Sequence, residues 1–354
     1  MLNKQTVFVI GAGAGFDVDM PVGNELANQI AEETDFRFNA GLLVGGHERV
    51  WAASRNMAVA VGIDQTSTMS AGRMITRGIT YAESIDNFVH THSDKKAIKI
   101  VAKIAIVHRI LEAERNSALF VDPAQAEFGR FADEEKVRSS WLKTFFSILQ
   151  DGVIEADNIE NIFDNLSIIN FNYDRCIEHF LFQGMQRLYP AKGTGYLADL
   201  ISRKLKIIHP YGVVGELEWQ GSGPSIQFGA KEDSYDLTKL SGGIRTYNEE
   251  VEDREKINEP RDLVSAAQRI VFLGFHFHEQ NIELISPEPN EPELKGIIDM
   301  FATQVDRSQA DKDFISHHRL RRVMHGRTLH PISSVRDDCD CTELFKRFGI
   351  LLAG

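Results

Sequence analysis

The sequence predicts an α/β fold: a parallel sheet with helices on both faces. Three observations carry that expectation. An apolar run typical of a buried strand, Thr6-Val7-Phe8-Val9-Ile10, passes straight into Gly11-Ala12-Gly13-Ala14-Gly15 and then into a helical stretch. From Leu166 onward, short apolar runs alternate with helical patterns, as parallel strands joined by crossovers do. Between these regions, from Asn39 to Asn165, strand signals are few and helical spacing dominates.

Each element has its own reason. Val22 to Ile30 follows Pro21 and carries apolar residues on one helical face. Gly41 to Thr80, rich in Gly, Ser and Thr, reads as loop. Glu83-Ser84-Ile85-Asp86-Asn87-Phe88 resembles a helix start with an acidic first turn. Lys95 to Asn116 places Ile98, Val101, Ile104, Ala105, Val107, Ile110 and Leu111 at helical spacing, and Ser139 to Leu149 forms a second helix around Trp141, Phe145 and Phe146. Strands are expected at Leu166–Phe171, Leu205–His209, Ser225–Phe228, Arg269–Gly274 and Thr328–Ile332, with helices at Arg175–Gln186 and Asp262–Gln268. Ser286 to Pro292 is a polar loop too short to link domains. The chain therefore reads as one Rossmann-like domain over 1–354, with 39–165 as a large helical insertion.

Composition narrows the function. With 354 residues, 43% hydrophobic and 25% charged, the chain is an ordinary globular protein. A formal net charge of -12 argues against indiscriminate binding to nucleic acid or anionic membranes, leaving His317-His318-Arg319-Leu320-Arg321-Arg322 as a local basic patch. Neither a membrane span nor a signal core is evident. Three cysteines, Cys176, Cys339 and Cys341, fit a reducing cytoplasm and cannot make a four-cysteine zinc site. Cys339-Asp340-Cys341 reads as an acidic helix entry, and His317, His318, His325 and His330 read as solvated surface groups. No metal is expected.

The candidate chemistry lies at the strand ends. Glycines after the first strand either bring backbone N–H groups to a pyrophosphate or make a tight turn. The dinucleotide fingerprint G-x-G-x-x-G is incomplete, because Phe16 stands at its third glycine. Later strands end in Asn170-Phe171-Asn172-Tyr173-Asp174, His209-Pro210-Tyr211-Gly212 and Gly274-Phe275-His276-Phe277-His278, with Asn281 beyond. In a parallel sheet these ends share one crevice. Asp17 and Asp19 would repel a pyrophosphate, so they are expected to point away or to bond ribose hydroxyls. His276 and His278 alternate about Phe277, so at most one is expected to face the crevice.

This order of motifs resembles the sirtuin superfamily. The sirtuin loop G-A-G-x-S-x-x-x-G-I-P aligns from Gly11 to Pro21 without a gap, with Gly15 in the serine place and Asp19 in the glycine place. The T-Q-N-I-D motif is similar to Asn170 to Asp174, the H-G motif to His209 with Gly212, and the G-T-S motif to Gly274-Phe275-His276. The zinc module is absent, and Val22-Gly23-Asn24 replaces Asp-Phe-Arg. The N-Y-D wording, Met20-Pro21-Val22-Gly23 with Leu26, and the Gly-aromatic-His ending are similar to bacterial sirtuin-like NADases. That resemblance implies NAD as substrate, cleaved to nicotinamide and ADP-ribose by an effector of anti-phage abortive infection. It also implies a separate sensor, such as an Argonaute-like protein or a HerA-type ATPase. By the same resemblance Gly11, Ala12, Gly13, Gly15, Pro21, Asn170, Gly274, Phe275, His276 and Asn281 would bind NAD.

Cleavage of the nicotinamide–ribose bond passes through an oxocarbenium-like species and expels a neutral leaving group. Such a site needs to orient the ribose and place one nucleophile. Asn172 can hold water or a ribose hydroxyl, or cap the next helix. His209 can accept a proton, or bond backbone. Asp174 can fix the loop, bond ribose, or cap. Deacylation, ADP-ribosyl transfer and a non-catalytic NAD- or ADP-ribose-binding scaffold are the competing functions. A homo-oligomer is expected through surplus apolar surface on Ile98, Val101, Ile104, Ile110 and Leu111.

Overall fold

The computed structural model describes residues 2–122, 129–151, 153, 156–221, 225–247, 249 and 254–353, without side chains for 156–157 and 254–257. Parts of the expected insertion, at 123–128, 152 and 154–155, lie outside the described residues. The strands are β1 (Thr6–Ile10), β2 (Arg37–Asn39), β3 (Leu42–Gly45), β4 (Leu166–Asn170), β5 (Lys206–Ile208), β6 (Arg269–Leu273), β7 (Ile297–Ala302) and β8 (Thr328–Leu329). The helices of the first half are α1 (Gly23–Thr34), α2 (Glu48–Ala60), α3 (Gln65–Gly78), α4 (Ile85–Thr91), α5 (Lys96–Asn116), α6 (Glu134–Ser139) and α7 (Trp141–Gln150). Those of the second half are α8 (Cys176–Leu188), α9 (Thr194–Lys204), α10 (Leu237–Ser241), α11 (Arg254–Ala266), α12 (Glu279–Ile285), α13 (Gln309–Phe314), α14 (Leu320–Met324) and α15 (Cys341–Ala353).

The α/β expectation holds. Six strands form one sheet in the order β5-β4-β1-β6-β7-β8, and every neighbouring pair is parallel. The chain steps outward from β1 through β4 to β5, then returns to the other side of β1 for β6, β7 and β8. The direction of winding therefore reverses between β1 and β6, and such a switch point leaves a crevice at the carboxyl ends. Register makes those ends level: Ile10 lies opposite both Asn170 and Leu273.

Two apolar layers cover the sheet. Val7, Val9, Ile169, Ile270 and Phe272 face a layer containing α1 to α5. Phe8, Ile10, Ile168, Val271 and Leu273 face the layer of α7, α8, α9 and α15. This alternation follows from the period of two along a strand. Helices between Asn39 and Asn165 thus serve both faces, and α5 is apolar nearly all round because it runs through the first layer.

Several expectations are corrected here. Gly41 to Thr80 is not loop but largely α2 and α3, held by buried Val50, Trp51, Ala58 and Ile75. The β2–β3 hairpin precedes them, and its turn at Ala40 and Gly41 takes φ of 50° and 85°, as a tight hairpin turn requires. Ser225–Phe228 is not a strand, because the carbonyls of Ile226 and Gln227 accept from the Arg175 guanidinium at 2.6 and 3.2 Å. An unforeseen strand, β7, lies beside β6. Finally, Ile98, Val101, Ile104, Ile110 and Leu111 are all buried within the chain, so they leave no surplus surface for an oligomer. No helix among the described residues is long and apolar enough to cross a membrane.

Candidate active site

The glycine loop folds as a 3-10 helix, Ala12–Val18, packed onto the turn after β6. Gly274 takes φ of 57°, and a Cβ there would lie 2.0 Å from the Ala14 nitrogen. A Cβ on Gly13 would meet the Gly274 Cα at 2.9 Å, and the Gly13 N–H donates to the Gly274 carbonyl at 3.1 Å. Gly13 therefore closes the loop against β6, where the sequence had suggested a pyrophosphate cradle. Gly15 packs on Met20 and also stays out of the crevice. Trp141 Nε1 donates to the Ala14 carbonyl at 2.7 Å and braces the loop from outside. Asp17 accepts from Thr342 Oγ1 at 2.6 Å, and Asp19 pairs with Lys136, so both carboxylates point away as expected.

A crevice opens at the ends of β1, β4 and β6. Gly11, Ala12, Pro21, Asn172, Asp174, Gly274, Phe275, His276 and Asn281 all line it, together with Val22, Gly23 and Asn24 at the start of α1. The α1 N-cap, Val22, makes no side-chain cap, so the positive end of a twelve-residue helix borders this space. Phe171, Tyr173, Tyr211 and Phe275 form an aromatic wall, with ring centroids 5.2 Å apart for Phe171–Phe275 and 5.7 Å for Phe171–Tyr211. Tyr211 donates its hydroxyl to Asn281 Oδ1 at 2.7 Å, which sets the Asn281 amide.

Asn172 belongs to this wall. Its backbone N–H donates to Asn170 Oδ1 at 3.1 Å, and its side-chain amide donates to the Gly11 carbonyl at 3.3 Å. The amide thus bridges the ends of β4 and β1 and is not a helix cap. Asn170 itself is fully buried beneath and does not line the crevice. Asp174 fixes the entry to α8: Oδ1 accepts the Cys176 N–H at 3.0 Å from one position before the Arg175 N-cap, while burial raises its carboxyl above the usual range.

His209 is the main correction. It does not line the crevice. Its Nδ1 lies 3.0 Å from the Asn172 carbonyl and its Nε2 lies 2.8 Å from Glu178 Oε1. Both neighbours are acceptors, so the imidazolium, with a proton on each nitrogen, is the form that satisfies them. Burial acts to lower its pKa, but Glu178 and the two hydrogen bonds prevail and raise it. With both nitrogens engaged, the ring sits as a brace behind Asn172. Gly212 belongs to the same brace: its φ is 72°, and a Cβ there would collide with the Gly243 carbonyl.

Sequence reasoning missed Asp86. It sits in the first turn of α4, lines the crevice, and accepts a hydrogen bond from Tyr173 on the β4 loop. The residue is half-buried in the crevice wall. Burial pushes its carboxyl up to about 6, against the pull of the Tyr173 hydroxyl. The only local signal was the capping pattern at Ser84, whose Oγ accepts from the Asn87 N–H at 3.1 Å. His276 and His278 both line the crevice, contrary to strict alternation, because Phe277 takes φ of 57° and breaks the strand period. Their rings lie 5.6 Å apart, and His278 pairs with Glu83 at 3.0 Å at the same opening.

The arrangement offers an ionisable carboxyl near neutrality, an amide at the meeting of two strands, a helix N-terminus and an aromatic wall. The Cys339–Cys341 segment is a helix entry, with Asp340 accepting the Glu343 N–H at 2.7 Å. No family model matches the chain, and no match is found among curated proteins.

Proposed function

We propose that the crevice binds NAD and that the protein hydrolyses the nicotinamide–ribose bond, releasing nicotinamide and ADP-ribose. The observation that carries this reading is the convergence of the α1 N-terminus, the Asn172 amide and the Asp86 carboxyl on one space at the sheet's switch point. The helix end and the Gly11–Ala12 backbone suit a pyrophosphate. The aromatic wall suits the flat rings of the substrate and keeps bulk water out. Asn172 orients a ribose hydroxyl or the attacking water. Asp86, ionised above about pH 6, accepts the proton of that water. His209 holds Asn172 in place from behind.

A second reading, binding of NAD or ADP-ribose without turnover, is favoured by the locked state of His209, since the histidine expected as base is not in the crevice. The role as an NAD-depleting effector in anti-phage defence, with an Argonaute-like or HerA-type partner, rests on the motif resemblance alone.

Incubation of the purified protein with NAD, with and without an acetylated peptide, separates the readings. Equal nicotinamide and ADP-ribose without peptide is the expected result, with a rate that rises through about pH 6. Intact NAD with measurable binding selects the second reading, and O-acetyl-ADP-ribose selects deacylation. Asn172→Ala should lower the rate by about 10²-fold or more while leaving the fold intact. A folded variant within about threefold of wild type refutes its role.

A further inference from the structure

Outside the crevice, three separate elements bring two imidazoles and a carboxylate together. His47 stands at the N-cap of α2, His108 lies in the middle of α5, and Glu232 opens a short 3-10 turn, Glu232–Ser234. Each offers one ligand atom, and these atoms lie within 4.8 Å of one another. The His108 ring is 1% exposed. Its Nδ1 lies 2.8 Å from Glu33 Oε1, which fixes the proton there and leaves the Nε2 lone pair facing Glu232 Oε1 at 3.5 Å. Among the described residues, neither His108 Nε2 nor His47 Nδ1 has a hydrogen-bond partner. The two rings are 4.1 Å apart between centroids. A buried imidazole lone pair facing a carboxylate oxygen with no hydrogen bond between them is costly, and a cation resolves that cost.

We propose that His47, His108 and Glu232 bind a divalent transition-metal ion, Zn²⁺ being the best fit, with Glu33 orienting His108. Two imidazoles and a carboxylate are a common zinc set, and a carboxylate on the far nitrogen of a ligating histidine is its usual support. Ligands about 2.0–2.2 Å from a tetrahedral ion lie roughly 3.3–3.5 Å from one another. The His108–Glu232 separation of 3.5 Å already meets that, and the half-buried His47 can close the rest. Glu232 is 42% exposed, which gives the ion a path in and leaves a position for water. Its second oxygen lies 3.7 Å from Arg49, the competing cation. The neighbouring set of Glu33, His108 and Glu112 is a poorer choice, because Arg109 already bonds Glu33 and Glu112 at 3.2 and 2.7 Å. The ion would tie the start of α2, the middle of α5 and the 232–234 turn into one unit. Glu33 would add the end of α1. None of these three residues lines the crevice proposed for NAD.

The test is titration of the chelator-treated full chain, freed of any purification tag, with Co²⁺ and Zn²⁺. One ion per chain is expected, with the visible d–d bands of a low-coordinate nitrogen and oxygen site. His47→Ala and Glu232→Gln should each weaken binding by about tenfold or more, and Glu33→Gln by roughly 10–100-fold. Circular dichroism checks that each variant folds; the His47 and Glu232 side chains lie nearer the surface than His108, so their loss is tolerable. Absence of stoichiometric binding to wild type overturns the proposal. So does binding that survives both substitutions, or sulfur-to-cobalt charge transfer, which would put the ion on the cysteines.

Discussion

The wall of the crevice and the layer just behind it contain similar residues in opposite states. In the wall, Asp86 keeps a carboxyl that titrates near neutrality, and Asn172 presents its amide beside the α1 N-terminus. Behind it, His209 Nε2 pairs with Glu178 Oε1, and Arg175 with Glu114 is wholly buried. Glu114 accepts from the Arg175 backbone and guanidinium and from the Gly229 N–H, while Arg175 gathers the carbonyls of Ile226 and Gln227. The difference lies in which groups face the crevice. Groups paired with one another behind the wall position the site; groups with a face left toward the crevice can act on a substrate.

The sharpest way to break that contrast is to damage the rear layer. Glu114→Ala leaves the Arg175 guanidinium buried without its carboxylate, and should destabilise the fold by about 3–5 kcal/mol. Glu114→Ala with Arg175→Met should cost much less than the sum of the single changes. Urea unfolding of all three variants checks this; simple additivity would mean the pair is not a unit.

A milder change probes the brace. His209→Gln should lower stability by about 1–3 kcal/mol, the usual worth of hydrogen bonds to a charged group. Its folded pKa is raised above 6.5, so the stabilisation is fully present below pH 6.5 and fades as pH rises through the folded pKa. The NAD-cleavage rate should move by less than about tenfold, with its acid limb unchanged, because the ring is outside the crevice. An acid limb that disappears in this variant would restore His209 as the base.

Legibility in the sequence followed the range of the interactions. β1, β4 and β6 were readable because each is a short, mainly apolar segment, fully buried, that runs straight into a glycine or an asparagine. β7 was hidden by Asp299, which interrupts the run Ile297–Ala302 and is held by Lys4 at 2.8 Å and Arg269 at 3.3 Å. α2 and α3 were misread because the Gly, Ser and Thr content of Gly41 to Thr80 as a whole suggested loop, whereas burial of Trp51 and Ile75 decided the outcome. His209 was placed correctly at a strand end, but its partner Glu178 lies on α8, which local pattern cannot reveal. Asp86 was invisible as a chemical group for the same reason: its pKa depends on a covering layer and on Tyr173, which lies 87 positions later in sequence.

The smallest expected change in stability is also the most specific. Asp86 has a folded pKa of about 6 against an ordinary 3.8, so the folded protein holds its proton more tightly than the unfolded chain. Between those values the folded state binds more protons, and wild-type stability must fall as pH rises through that window. The shift corresponds to at most about 3 kcal/mol at neutral pH. Asp86→Asn removes the charge and keeps an oxygen to accept from Tyr173. Loss of the charge-assisted character of that bond offsets part of the gain, leaving roughly 1–2 kcal/mol. The variant should therefore unfold at higher urea than wild type at pH 8, match it near pH 4, and cleave NAD at least about 10²-fold more slowly. A group built only for stability would not be kept in a state that weakens the fold at neutral pH. Equal differences in stability at pH 4 and pH 8 would show that the Asp86 carboxyl is not perturbed, and would remove it from the front wall's chemistry.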